Sequence, residues 1–198
     1  AHIEKIFFDI ANIDEFWQWV DGPFYKGLYP DHDVYINGRK AIDEVTVIIG
    51  NIRIRQVRAK PTQCKNSIGV HTTSLPTDGC HSDPVSDVSL VQKESFGPGG
   101  KYKYTDPSLE SNEEAKLYEQ TFVGDRLWQY YYLSGGHNVY LPGGNGTRAA
   151  EILAELKNDK FVSTKDGTRL MLFEFSLYNS HIDRVLAVRL MVEFWVGG

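Results

Sequence analysis

The sequence predicts an α+β fold: an antiparallel β-sheet covered on one face by about three helices, with a long loop excursion pinned by a disulfide. Three observations predict it. Two long strands, over Arg169–Tyr178 and Leu186–Phe194, each with large apolar residues lining one face, follow one another with little between them. Strands joined directly, with helices at few points, favour antiparallel over parallel pairing. Residues Thr147 to Asp159 keep the spacing of an amphipathic helix, and residues 60 to 125 combine few periodic apolar positions with Pro61, Pro76, Pro84, Pro98 and Pro107.

From the N-terminus, Asp14 to Val20 groups Phe16, Trp17, Trp19 and Val20, and reads as a short helix capped by Asn12 or Asp14. The segment Asp21 to Pro30 is turn-rich and leads into a stretch that is helix or loop. Val45 to Ile49 is dense in β-branched residues and reads as a strand that Gly50 and Asn51 punctuate. Ile52 to Ala59 begins with Ile52 and Ile54 on one face against Arg53 and Arg55 on the other. The alternation slips at Gln56, because Val57 then falls on the arginine face, and a slip marks a bulge or a strand end.

Leu127 to Leu133 reads as an aromatic strand, followed by a Gly135-Gly136 turn and a short strand at Val139 to Leu141. In the next helix Thr147 is the expected cap, and Ala149, Ile152, Leu153 and Leu156 form the apolar face. Asp166-Gly167 then turns the chain into a strand with Met171, Phe173, Phe175 and Leu177 on one face. A final strand groups Leu186, Val188, Leu190, Val192 and Phe194. These two are expected to pair antiparallel.

At 198 residues and 41% hydrophobic, the chain is large enough for a substantial core. The formal charge is −5 and Lys and Arg do not cluster among aromatics, so neither nucleic acid nor an anionic membrane surface is an expected partner. No apolar run approaches the roughly 18 to 20 residues of a membrane span, and no signal peptide opens the chain. The abrupt ends and the apolar stretch Val185 to Trp195 predict a piece of a longer chain, with membrane anchoring just outside both ends.

Cys64 and Cys80 lie in a loop rich in Ser, Thr, Pro, Gly and Asp. A disulfide between them is the economical reading and would contribute on the order of 3 kcal/mol. Two alternatives stay open: zinc held by Cys64, His71, Cys80 and His81, whose spacing matches no usual site, and a thiol–histidine nucleophile. Asn145-Gly146-Thr147 is an N-glycosylation sequon and, with the cysteines, points to an extracytosolic origin.

The glycine-rich turn before Thr147 resembles a phosphate cradle but lacks its Lys-Ser or Lys-Thr, so a turn is expected there. Asp31, Asp33 and Asn37-Gly38 fail as a calcium loop, since Tyr35 and Ile42 occupy ligand slots. Glu151, Glu155, Glu174 and Glu193 read as solvated or ion-paired acids, and no catalytic residue is expected. Arg55 and Arg58, near a strand end, either brace loops through bidentate bonds or line an exposed sheet face.

Several segments together resemble the polycystin family of TRP channels: DEFWQWVDGPFYKGLY from Asp14, IGNIRIRQVRAKPTQC ending at Cys64, FGPGGKYKY from Phe96, LWQYYYLSGG from Leu127, the run from Ile152 to Asp183, and AVRLMVEF ending at Phe194. The resemblance is to the large domain those channels carry between their first and second transmembrane helices. It implies a single polycystin domain over residues 1 to 198 of a membrane-embedded, tetrameric and calcium-permeable channel. The domain would sit on the extracellular or lumenal side of a ciliary or plasma membrane, or of the endoplasmic reticulum.

The resemblance further implies contacts with other subunits and with the pore region, a Cys64–Cys80 disulfide, a strand role for Arg55 and Arg58, and an aromatic anchor at Trp128. No cofactor is implied, apart from an N-linked glycan at Asn145; calcium enters only as a permeant ion. Three departures stand out: Pro30 where the family often has Trp, a lone sequon, and loops over residues 60 to 125 that resemble the family least. Competing readings are a mucolipin-type lumenal domain, a sugar- or lipid-binding module built on the aromatics of Trp128 to Tyr132, and a cysteine hydrolase.

Overall fold

A computed structural model describes residues 6–61, 81, 88–106, 121–125, 128–132 and 135–194. The strands are β1 (Tyr35–Ile36), β2 (Arg39–Lys40), β3 (Thr46–Arg58), β4 (Tyr104–Thr105), β5 (Thr121–Asp125), β6 (Trp128–Tyr132), β7 (Gly136–Pro142), β8 (Thr168–Asn179) and β9 (Arg184–Glu193). Five of them form one antiparallel sheet in the order β4-β7-β3-β8-β9, while β1-β2 and β5-β6 are separate two-stranded sheets.

This corrects the expected sheet under about three helices. The described chain is mostly β, with one long helix, α3 (Gly146–Asn158); α1 (Ile13–Trp19) has seven residues and α2 (Tyr25–Leu28) four. Asn12 caps α1, its side chain accepting from the Glu15 N–H. Beyond Trp19 the chain meets Gly22 and Pro23, widens into a π-type turn at Val20–Phe24, and recovers for a single turn before Tyr29. Proline lacks an N–H and glycine raises the entropic cost of ordering, so a long helix cannot propagate there. The stretch left open between helix and loop is the β1-β2 hairpin. Its Asn37 and Gly38 both have positive φ, 51° and 77°, as a type I′ turn requires.

The residues cluster into two compact units. The first comprises residues 1–54, 139–162 and 172–191. Its centre is aromatic: the Phe173 ring on β8 lies 4.7 Å from Phe24, 5.4 Å from Trp19 and 6.0 Å from Phe16. Helix α3 buries Ala149, Leu153 and Leu156. Tyr25 donates its hydroxyl to the Gly146 carbonyl at 3.1 Å and Tyr29 to that of Pro142 at 3.0 Å, tying the α2 segment to the start of α3 and the end of β7. Burial pushes the Tyr29 phenol well above its usual range, so it stays a donor. The expected break at Gly50 is not one. With φ 74° this glycine sits inside a continuous 13-residue strand, in the left-handed conformation common at bulges.

Glu174 on β8 accepts from Arg53 on β3 at 2.9 Å and from Arg189 on β9 at 2.8 Å, an ion triad across three neighbouring strands. Glu174 is mostly shielded, with 13% of its side chain exposed, while Arg189 is more open at 38%. Removing the shared acceptor leaves two guanidinium groups facing each other. Glu174→Gln is therefore expected to cost about 1 kcal/mol in urea unfolding, and raising the salt should shrink the difference between variant and parent.

The second unit comprises residues 55–138, 163–171 and 192–198. Here the excursion expected over residues 60 to 125 is held to the sheet by single antiparallel bridges, Ala59 with Val91 and Pro61 with His81, and is folded back on itself between Phe96 and Tyr102. Strand β4 pairs with β7 in the register Tyr104–His137, and β5 pairs with β6 from Thr121–Tyr132 to Asp125–Trp128. Among the described residues no helix is long and apolar enough to cross a membrane.

Candidate functional site: a buried arginine cluster

The alternation of β3 fails at Gln56 for a reason that becomes plain in the second unit: Arg55, Gln56, Val57 and Arg58 are all buried. Arg55 is 1% exposed, Arg58 and Arg169 are 4% exposed, and His137 and Thr168 are fully enclosed. Three buried guanidinium groups are costly unless backbone or side-chain acceptors meet them.

Turns supply such acceptors to Arg55 and Arg58. Arg55 donates from Nη1 to the Gly135 carbonyl at 3.1 Å. The next residue approaches β3 so closely that a Cβ at Gly136 would lie 2.6 Å from the Gln56 carbonyl oxygen. Only glycine allows this approach, and its φ of 151° lies where other residues are strained. Gln56 donates to Thr168 Oγ1 at 2.7 Å, and Thr168 Oγ1 also accepts the Ser163 N–H at 2.9 Å. Arg58 forks onto a single carbonyl, that of Asp166, through both Nε (3.1 Å) and Nη2. Its guanidinium carbon lies 3.8 Å from the centre of the Phe96 ring, a cation–π contact that fixes the loop carrying Phe96. Burial lowers the Arg58 pKa from its usual value and Asp166 opposes that shift. One strand end thus straps the 94–102, 135–137 and 163–168 segments.

His137 is a further buried polar group of the cluster. Its Nε2 lies 3.0 Å from the Glu94 carbonyl, and its ring meets Phe96 and Tyr104 edge-on at 4.8 and 5.6 Å. Burial pushes the imidazole from 6.5 down to about 4; the Glu94 hydrogen bond opposes the shift and Arg58 adds to it. The folded state therefore holds a neutral ring with an Nε2 proton on Glu94. Because the folded value lies below the unfolded one, stability is complete above pH 6.5 and falls as the pH drops towards 4. The loss is about 2 kcal/mol at pH 5 and about 3 kcal/mol at full protonation. Urea titrations at pH 7 and pH 5 should show this loss in the parent chain and not in His137→Phe.

Of the expected site residues, Arg55 and Arg58 come together, as loop braces and not as an exposed sheet face. Trp128 opens β6, with its side chain outside the described residues, and Cys64 and Cys80 lie outside them altogether. Asn145 lies in the first unit, where it and not Thr147 caps α3, accepting from the Arg148 N–H at 3.0 Å. Gln56, known from the sequence only as the point where alternation slips, joins His137, Thr168 and Arg169, which the sequence does not mark as site residues. The slip at Gln56 was their one visible signal. Among the described residues no group of three or more His, Cys, Asp or Glu is placed to hold a metal.

A β-sheet whose loops are strapped from within by Arg55 and Arg58, through the Gly135 and Asp166 carbonyls, has the make-up of a structural module. The sequence model of the Polycystin domain family matches residues 7–198, and the chain belongs to that family. It is 28% identical to polycystin-2-like protein 2 of Mus musculus over 194 residues, covering 95% of this chain and 28% of that protein. It is 25% identical to polycystin-2 of Danio rerio, covering 95% of this chain and 20% of that one, and 26% identical to location of vulva defective 1 of Caenorhabditis elegans, covering 96% and 6%. The chain thus spans less than a third of each of these relatives.

Proposed function

We propose that residues 1–198 form one extracytosolic domain of a polycystin-type cation channel, between its first and second transmembrane helices, and that the domain is non-catalytic and acts in assembly and gating of a tetramer. The observation that carries this reading is the family match over residues 7–198. The arginine cluster supports it, because the Arg55 and Arg58 donors hold backbone carbonyls and so brace the fold. The partners are then the other subunits and the pore region. The permeant ion is calcium, no cofactor is required, and the Cys64–Cys80 disulfide and an anchoring Trp128 complete the domain. The membrane is ciliary or plasma membrane, or endoplasmic reticulum.

The test uses the full parent channel in cells. An impermeant amine reagent should label the exposed Lys160 and Lys165 from the extracellular or lumenal side. Deleting residues 7–198 should reduce the tetramer band on native gels and abolish gated calcium current. Normal tetramers and currents after the deletion would refute the assembly and gating role, and labelling only from the cytosolic side would refute the placement.

A further inference from the structure

We propose that His137 is the pin of an acid-released latch: when its ring takes up a proton, residues 94–105 come away from β3 and β7 while the first unit stays folded. The latch lies within the second unit and does not depend on the channel reading above.

Three groups of that segment converge on one imidazole. The Glu94 carbonyl faces Nε2 at 3.0 Å, and the Phe96 and Tyr104 rings stand edge-on at 4.8 and 5.6 Å. His137 is also the strand partner of Tyr104, in a β4-β7 pairing only two residues long. So short a pairing contributes little by itself. A further hold on β3 is the Arg58 guanidinium over the Phe96 ring. Phe96 and Tyr102 exchange both of their backbone bonds, at 3.1 and 3.0 Å, so the segment closes on itself and can move as a piece.

The enclosure suits a neutral ring and not a charged one. Nδ1 is buried and meets no hydrogen-bond partner among the described residues. A proton taken from water at Nδ1 turns that nitrogen into a donor without an acceptor and the ring into an enclosed cation, which is costly. Of the charged groups around the ring, Arg58 from β3 opposes the new charge and Glu94 from the overlying segment favours it. Lys93 is engaged with Asp106 at 3.3 Å and lies 5.5 Å from the centre of the Tyr104 ring. Arg55, bonded to the Gly135 carbonyl, and Arg169 add two further buried cations to the unit.

Opening returns the ring to water and to its ordinary value of 6.5, whereas in the closed form burial holds it near 4. The closed form therefore loses ground as the pH falls below 6.5. Between pH 7 and pH 5 the ratio of open to closed forms should rise about 20-fold. The freed segment would carry the Phe96 and Tyr104 rings into solvent.

Hydrogen exchange of the 198-residue chain at pH 7 and pH 5, read by mass spectrometry and corrected for the intrinsic rate, tests the latch. Peptides within residues 94–105 should lose protection about 20-fold, with α3 unchanged. His137→Phe and His137→Gln, which cannot titrate, should show no loss. A parallel loss in α3 would mean global unfolding and overturn the latch, as would unchanged protection of 94–105 or an equal loss in both variants. Where the variants do not fold, the parent alone decides. Carbon-13 resonances of its His137 ring should show half-protonation below pH 6.5, in step with the loss of protection. Half-protonation at 6.5 with the segment still protected would overturn the proposal.

Discussion

Arg58→Leu is expected to lower the unfolding free energy by about 3 kcal/mol. The substitution keeps apolar bulk at a position that is 4% exposed but withdraws both donors from the Asp166 carbonyl and the cation from the Phe96 ring. A carbonyl left without its donor inside the fold costs about 1 to 3 kcal/mol, and the cation–π contact adds about 1 kcal/mol. Arg58→Lys separates charge from geometry: lysine restores the cation without the planar fork and should recover less than half of the loss. Urea unfolding monitored by circular dichroism reads both, with the midpoint falling and the slope unchanged. Full recovery by lysine would show that charge alone matters and that the bidentate strap does not.

Phe173→Ala should have the larger effect, about 3 to 5 kcal/mol, because it opens a cavity among rings that have no room to collapse. Phe173 is 1% exposed and touches Phe16, Trp19 and Phe24, which come from a run of short helical segments. Short helices draw their stability from packing and not from propagation, so the α1 and α2 segments should loosen together with the core. Phe173→Leu, closer in volume, should cost about 1 to 2 kcal/mol. Near-ultraviolet circular dichroism of the tryptophan bands reports the site directly; unchanged bands in Phe173→Ala would mean that the aromatic cluster does not depend on this ring.

How much of the fold could be read in advance depended on whether local pattern and tertiary demand agreed. Strands β8 and β9 and helix α3 are legible because each repeats its large apolar residues at strand or helix spacing over many residues. Strand β3 looked like two strands, since Gly50-Asn51 is ordinary turn chemistry and only pairing on both sides reveals a bulge instead. The helix count was too high because the aromatics of residues 16 to 24 are core residues first, and Gly22 and Pro23 override their spacing. The β1-β2 hairpin carries an Asn-Gly signal, but its strands have two residues each and show no alternation. In the cluster, Arg55 and Arg58 drew notice as arginines at a strand end. His137 did not, because nothing in Gly-Gly-His-Asn announces that the ring will be enclosed between Phe96 and Tyr104.

The Asn37–Gly38 turn also bears on how the protein ages. Its geometry depends on an asparagine followed by a residue without a side chain, at a hairpin tip open to water. In that setting the Gly38 amide nitrogen can attack the Asn37 side-chain carbonyl, expel ammonia and leave a succinimide that opens to aspartate or isoaspartate. The isoaspartate form adds one atom to the main chain, which a two-residue loop cannot absorb without losing the Tyr35–Lys40 register. Stored protein should therefore accumulate an acidic isoform whose altered peptide maps to residue 37, with the β1-β2 pairing the first part of the fold to record elapsed time.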